Sequence, residues 1–480
     1  MSHTRSESTL SVTSGPEKVE ELSNLMQALN TDLSGKKLPL TQKSATLERI
    51  KVLGRSAENA EPIFRREGIE TLARHGFSGD TATSREALRC LANALFLKAD
   101  ARQVFVDLGY APKASERLRN DNKDDEFLLS RILFLTTYET DLNFDRLIDD
   151  HHLAENINAN LARHAKQYSR SARKINSTPQ DEAALSETLK LVFNITHYYP
   201  DQAAAFSKSI PHILKVLFRR KIPDPPLSAP ISYLINSLIN LDLEDRSHTH
   251  LSANPLFPKF EPKCNAEHLI NILDKAVYKY RQTELDQLAG PIVALIRKIY
   301  ELAPDGVKRY MQWLLLPSDE ERSRPLGKSD TLSSRLLRLS TSPMAPTLRE
   351  SVSALFFELS GKDATSFVQN VGFGFASGFL MTHNVPIPDN ALDAWSTGGS
   401  NQTDPSSVDG TPDGSINPIT GQRVGNEATS NEPDMTEEEK EREAEKLFVL
   451  FERLKKTGVV DVQNPVEKAV QEGRFEELKD

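Results

Sequence analysis

Three features of this sequence carry residue types that could do chemistry, and each fails on spacing or context. Gly327-Lys328-Ser329 ends like a phosphate-binding loop, in which backbone N–H groups cradle phosphates and the Lys reaches them. That loop needs a Gly five residues before Gly327, and Arg322 stands there. Gly372, Gly374 and Gly378 resemble a dinucleotide fingerprint, but the third Gly falls one residue late and both flanks read as helix. A helix–helix joint where small residues let backbones approach fits these glycines better. His151-His152 and His248-Thr249-His250 are the close His pairs, and neither has the helical HExxH spacing or the partner Cys of a metal site. No GxSxG nucleophile elbow is present. The expectation is a protein with no catalytic residue, no metal site and no cofactor, which acts by binding.

The recurring feature is an Asn beside an apolar stripe. The pattern is apolar, two residues, apolar, one residue, Asn, apolar. It occurs as Leu88–Ala94, Leu189–Ile195 and Ile235–Leu241, placing Asn93, Asn194 and Asn240 at one pattern position. An Asn can both donate to and accept from the backbone of an incoming peptide or helix. The competing reading is that each Asn braces a neighbouring backbone group inside the protein itself.

The elements that must position these residues are helices. Asn194 and Asn240 are 46 residues apart, within the armadillo or HEAT period of about 40–47 residues. Asn93 and Asn194 are separated by roughly twice that period, which leaves room for a divergent repeat around Leu128–Leu135. Val352–Leu359 is a related helix without the Asn. Helical spacing begins at Val19, with Leu22, Leu25, Met26 and Leu29 on one face, and continues to about Met381. Nothing between shows the period-2 alternation of a sheet. The fold class is therefore all-α, an armadillo/HEAT-type right-handed superhelical solenoid. Its innermost helices would line a concave groove.

The ends of the chain differ in composition. Residues 1–18 read as a disordered N-terminus and residues 19–383 as the helical-repeat domain. Residues 384–434, rich in Ser, Thr, Asn, Asp, Gly and Pro, read as a flexible linker. Residues 435–480 read as a C-terminal helical tail. Thr436 and Glu439 form a capping box there, Leu447, Phe448, Phe451 and Leu454 an apolar stripe, and Gly458 a stop.

Composition excludes several function classes. The chain has 480 residues, 38% hydrophobic and 26% charged, so a large core is affordable to a soluble protein. Its formal charge of −9 argues against a nucleic-acid partner. The run Arg219-Arg220-Lys221 is short and reads as a solvated helix end. Two cysteines, Cys90 and Cys264, cannot build a disulfide framework, which points to a reducing compartment. Met1 to Pro16 lacks the apolar core of a secretory signal. No stretch approaches the roughly 20 apolar residues of a membrane span. A cytoplasmic protein is the expectation.

An ordered set of segments carries a family resemblance. Arg49–Arg55 resembles a first basic inner helix, and Leu88–Phe96 and Leu189–Thr196 resemble Asn-bearing ones. Leu315-Leu316-Pro317, Arg324–Gly327, Asp330–Leu332 and Leu337–Leu339 follow in order, then the Gly-rich stretch Val371–Leu380. Ser415–Gly421 and Met435–Leu454 complete the set. Together they resemble the synembryn family of exchange factors and chaperones for G-protein α subunits. The resemblance implies binding of GDP-loaded Gα, release of the GDP and retention of the nucleotide-free subunit, besides help in folding new Gα. It implies a groove that takes the Gα C-terminal helix and a tail that reaches the switch region. Lys51 and Arg55, four apart on one helical face, would meet carboxylates of that helix. Asn93, Asn194 and Asn240 would line the same groove, and Leu447, Phe448, Phe451 and Leu454 would dock the tail. A monomer suits a one-to-one partner, and Gα could recruit it to the plasma membrane.

Two departures from the family pattern stand out. Phe375 occupies a position where Asn is expected. The acidic, phosphorylatable segment before Asn417-Pro418 is reduced to Asp404, Asp409 and Asp413. Ser406, with Asp409 three residues on, is the candidate phosphosite. The alternative to the exchange-factor reading is a generic armadillo adaptor that takes a peptide or helix in its groove. Importin-type grooves place an Asn one turn after a Trp, and neither Trp313 nor Trp395 has one.

Overall fold

Leu47, Ile50 and Leu53 recur at helical spacing and all three are buried. The same period governs each later segment. The computed structural model describes residues 14–35, 37–78, 81–168, 177–244, 254–388, 416–426 and 442. The chain divides into two compact units, Met1–Gly425 and Asn426–Asp480, and the helices below belong to the first. Among the described residues the extended backbone amounts to one isolated bridge, Ile416 with Arg423.

Seven helices stack in sequence as a spine. They are α1 (Leu40–Leu53), α2 (Ala82–Leu97), α3 (Lys123–Leu135), α4 (Pro179–Tyr198), α5 (Ile231–Asn240), α6 (Gly290–Leu302) and α7 (Pro346–Leu359). Each packs on the next. A flanking layer covers their other side: Arg66–Gly76 packs on α2, Leu153–Lys166 on α4, Ile210–Arg219 on α5 and Cys264–Lys279 on α6. This is an all-α solenoid. The three Asn-bearing segments are α2, α4 and α5, and the divergent copies at Leu128–Leu135 and Val352–Leu359 are α3 and α7.

Side chains finish the helix ends. Thr81, Asn122 and Thr178 accept hydrogen bonds from the first-turn N–H groups of α2, α3 and α4. Such caps are worth about 1 kcal/mol each. At the other end of α5, the Lys298 ammonium donates to the carbonyls of Ile239, at 3.0 Å, and Leu241.

Two adjacent carboxylates of α3 lie inside the stack. Asp125 and Glu126 are 0% and 1% exposed. Arg85 Nε and Arg117 Nη2 donate to Asp125 at 3.0 and 2.8 Å. Thr188 and His164 donate to Glu126 at 2.7 and 3.0 Å, and Arg163 adds an ion pair. Burial works to raise both carboxyls, but these donors outweigh it and hold both below the usual carboxylate range.

The helix Gly15–Leu33, which precedes α1, starts before Val19. Residues 15–18 are therefore helical, a correction to the reading of 1–18 as disordered; residues 1–13 lie outside the described residues. Pro16 sits in the first turn, where its missing N–H has no helical partner to lose. Lys18 anchors that turn by donating to the carbonyls of Ser56 and Glu58 at 3.4 and 2.5 Å.

A further departure lies within 384–434. Residues 416–423 dock on two helices that follow α7, α8 (Ala364–Val371) and α9 (Phe373–Thr382). The first N–H groups of α9 have no helical acceptor. Phe373 N–H donates instead to Pro418 O at 2.8 Å, and Gly374 N–H to Ile419 O at 3.1 Å. Arg322, only 5% exposed, donates to Gln369 O, Asn370 O and Gly421 O at 3.1, 2.8 and 2.9 Å. Gly372 has φ +82°, and a Cβ there would sit 2.8 Å from Gly421 N. Only glycine permits that approach. The span read as a flexible linker thus contains an anchored clip. Of the glycines rejected as a dinucleotide loop, Gly372 joins α8 to α9, but the backbone that it and Gly374 meet is that of residues 418–421 and not of another helix, and a Cβ on Gly378 would meet nothing.

Candidate partner-binding face

Along α2 to α5 the side chains that stay open to solvent follow one helical stripe. On α2 they are Glu86, Arg89, Asn93 and Phe96; on α3, Phe127, Arg131 and Phe134; on α4, Lys190, Phe193 and His197. The i, i+3/i+4, i+7 spacing is that of a single helix face. Contacts from helix to helix place these stripes side by side. Lys51 of α1 lies 3.4 Å from Glu86, and Arg89 lies 3.4 Å from Asp124 of α3. The Arg131 guanidinium sits 5.4 Å from the centre of the Phe96 ring. Lys190 sits over both Phe134, at 4.9 Å, and Tyr233 of α5, at 5.7 Å. The result is a surface on which cations and aromatic rings alternate.

Each cation–ring contact contributes about 0.5–1 kcal/mol at an exposed site. More important is what the face offers a partner. Phe96 is 58% exposed, a large ring left in water on an otherwise well-packed helix. Aromatic and Arg side chains are the residue types on which binding energy concentrates.

The residues singled out in the sequence divide into three groups. Lys51 and Asn93 come together, lining one shallow depression with Gly54 and Cys90. The Asn93 amide is half-buried and makes no side-chain hydrogen bond among the described residues, so both its donor and acceptor are available. Lys51 is already engaged. Burial would depress its ammonium, but Glu48 and Glu86 outweigh burial and hold it above its ordinary value. Arg55 is exposed and makes no ion pair among the described residues. It is not on the same helix as Lys51. α1 ends at Leu53, and Gly54 closes it against Ile63, where a Cβ would lie 3.0 Å from Ile63 Cδ1. The expectation of one helical face for Lys51 and Arg55 is corrected accordingly.

Asn194 and Asn240 brace the stack. Asn194 is 4% exposed and donates to Thr137 Oγ1 at 2.7 Å, so it does not line the face. The frame of α4 is turned by one residue, and Phe193 takes the open position instead. Asn240 is half-buried and donates to Phe193 O at 3.3 Å. Leu447, Phe448, Phe451, Leu454 and Ser406 lie outside the described residues.

The Asn pattern left out Arg131, Lys190, Phe96, Phe134 and Tyr233. Their signal was present, since Phe127, Arg131 and Phe134 keep i, i+4, i+7 spacing. No helix among the described residues is long and apolar enough to cross a membrane.

Helix order and this stripe place the chain among the all-α solenoid proteins. The family model described as guanine nucleotide exchange factor synembryn matches residues 46–474, and the chain belongs to that family. Chaperone Ric-8A of Xenopus tropicalis is 24% identical, over 95% of this chain and 87% of its own length. Chaperone Ric-8A of Macaca fascicularis is 24% identical, over 88% of this chain and 83% of its own. A synembryn-like chaperone of Schizosaccharomyces pombe is 25% identical over 64% of this chain, and the match spans only 58% of that relative. Among solved structures, an engineered protein matches with a TM-score of 0.38 and 14% identity, over 58% of this chain and 97% of its own.

Proposed function

We propose that this protein is an exchange factor and folding chaperone for heterotrimeric G-protein α subunits. It binds Gα·GDP, promotes GDP release and holds the nucleotide-free subunit. Membership of the synembryn family is the observation that carries the reading. The open stripe supplies a place for the Gα C-terminal helix. Apolar residues of that helix would lie against Phe96, Phe134 and Tyr233, and its carboxylates would meet Arg131 and Arg55. Asn93 would hydrogen-bond to its backbone. The segment Leu447–Leu454 would dock near the switch region. The protein works in the cytoplasm as a monomer and reaches the plasma membrane through Gα.

The mechanism is differential binding and uses no covalent chemistry. A partner that prefers the nucleotide-free conformation shifts Gα toward it. Turning a 1:99 equilibrium into 99:1 needs about 10⁴-fold preference, about 5.5 kcal/mol. Withdrawing a helix from Gα into an extended face can provide that difference.

The test is exchange of a fluorescent nucleotide on purified Gα·GDP. Acceleration is expected with the natural chain. Arg131→Glu combined with Arg55→Glu should remove most of it while leaving the helical circular dichroism unchanged. No complex and no acceleration with any Gα class would sink the proposal in favour of a generic adaptor.

A further inference from the structure

The flanking layer carries a second open surface, built by the helix Ile210–Arg219 and the segment that leads into Cys264–Lys279. The first helix buries Ile213, Val216 and Leu217 and leaves Lys215, Phe218 and Arg219 at least partly open. Between it and residues 255–265 opens a cleft of about 880 Å³. Leu214, Phe218, Pro258 and Phe260 form its apolar lining, and Lys215 and Arg219 stand among them. A cleft of roughly 300–1,000 Å³ is large enough to enclose a ligand or several side chains.

Two observations say what it fits. The first is aromatic exposure. Phe260 is 92% exposed, the most open of the large hydrophobic residues described. Lys263 lies 4.6 Å from the Tyr310 ring, and Tyr310 stacks on Trp313, itself 68% exposed. Wet aromatic area next to a cleft is what a macromolecular partner covers. The second is charge. Lys215, Arg219 and Lys259 make no ion pair among the described residues, and Glu261 is the carboxylate that lines the cleft. This accumulation of cations stands in a chain whose total charge is −9. His212, on the same helix, feels it: burial first, then Lys215 and Lys166, push its imidazole below the ordinary value.

We infer that this cleft docks a segment of a partner protein that combines carboxylates with apolar side chains. The carboxylates pair with Lys215 and Arg219, and the apolar side chains cover Phe218 and Phe260. Binding here is separate from the spine stripe, so exchange activity and occupancy of the cleft can fail independently.

Cys264 lines the cleft and serves as the reporter. The other cysteine, Cys90, is buried with its thiol pushed up to about 12, and stands as the unreactive reference. The experiment follows alkylation of Cys264 by mass spectrometry in the full-length protein. The probes are a short peptide alternating Glu with Leu and Phe, and its counterpart with Lys in place of Glu. The Glu peptide is expected to slow alkylation of Cys264, and the Lys peptide to leave it unchanged. Lys215→Glu with Arg219→Glu should weaken that protection about tenfold or more, as read from the peptide concentration required. Phe260→Ala should weaken it too, and because Phe260 is almost fully exposed its melting temperature should stay that of the natural chain. Equal protection by both peptides, or none at millimolar peptide, overturns the inference. So does a double variant that binds as well as the natural chain. Vesicles containing phosphatidylserine form the last arm. Protection of Cys264 by vesicles but not by the Glu peptide would assign the surface to an anionic membrane and overturn it as well.

Discussion

Around α3, charged side chains reach from one helix to the next; around α8 and α9, backbone meets backbone. In the first region Asp125 and Glu126 gather Arg85, Arg117, Arg163, His164 and Thr188. In the second, Phe373 and Gly374 donate to the carbonyls of Pro418 and Ile419, and Arg322 gathers three more carbonyls. The two solutions differ in what they tolerate. A side-chain network depends on the identity of its charges. A backbone joint depends on the absence of side chains at Gly372 and Gly421. Because a solenoid is stabilised chiefly between neighbours, damage to either region should stay local.

The largest effect is expected from Asp125→Ala. It leaves two guanidinium groups without their buried partner, which costs about 3–5 kcal/mol. Urea unfolding should show the loss, and amide hydrogen exchange should confine it to residues 82–135, leaving 364–382 protected. The same carboxylates set a pH dependence. Both are held below their ordinary values in the fold, so their contribution is complete above the usual carboxylate range. It is lost as pH falls through the lowered values. Glu126→Gln should flatten that acid limb in a series of melting curves.

Gly372→Val comes next. A β-branched residue at φ +82° and ψ 148° is strained by about 1–3 kcal/mol, and its Cβ would press on the backbone of Gly421. Exchange protection should fall in 364–382 and 416–423 and hold at α3, the mirror image of the Asp125 result. Loss of protection along the whole chain in either variant would break the contrast. Asn194→Ala should cost about 0.5–1.5 kcal/mol by removing the hydrogen bond to Thr137 Oγ1, whose hydroxyl keeps Phe134 O as its own acceptor. Asn93→Ala should change stability by less than about 0.5 kcal/mol and lower Gα exchange. Equal stability losses at the two Asn positions would refute their assignment to different roles.

The solenoid was legible because it rests on period alone. Leu88, Leu91, Leu189, Val192, Ile235 and Leu238 announce helices whose apolar faces need neighbours, and all six are buried. The site was only partly legible. Asn93, Asn194 and Asn240 occupy one pattern position, yet helix rotation decides which of them meets solvent, and a one-residue shift buries Asn194 behind Phe193. Lys51 and Arg55 looked like one face because nothing local showed that Gly54 must close against Ile63. The clip at 416–423 was hidden for a different reason. Its short, Gly- and Pro-containing sequence has no period, and its partners, Arg322 and Gly372, are distant along the chain.

That clip also changes how chain length counts. Val385 and Ile387 pack on the core after α9, and the chain is fixed again at Ile416–Arg423. Residues 389–415 therefore join two fixed points. What holds the clip is the backbone that receives it at α8 and α9, together with the Arg322 guanidinium, so its place is set by these contacts and not by the number of residues before it.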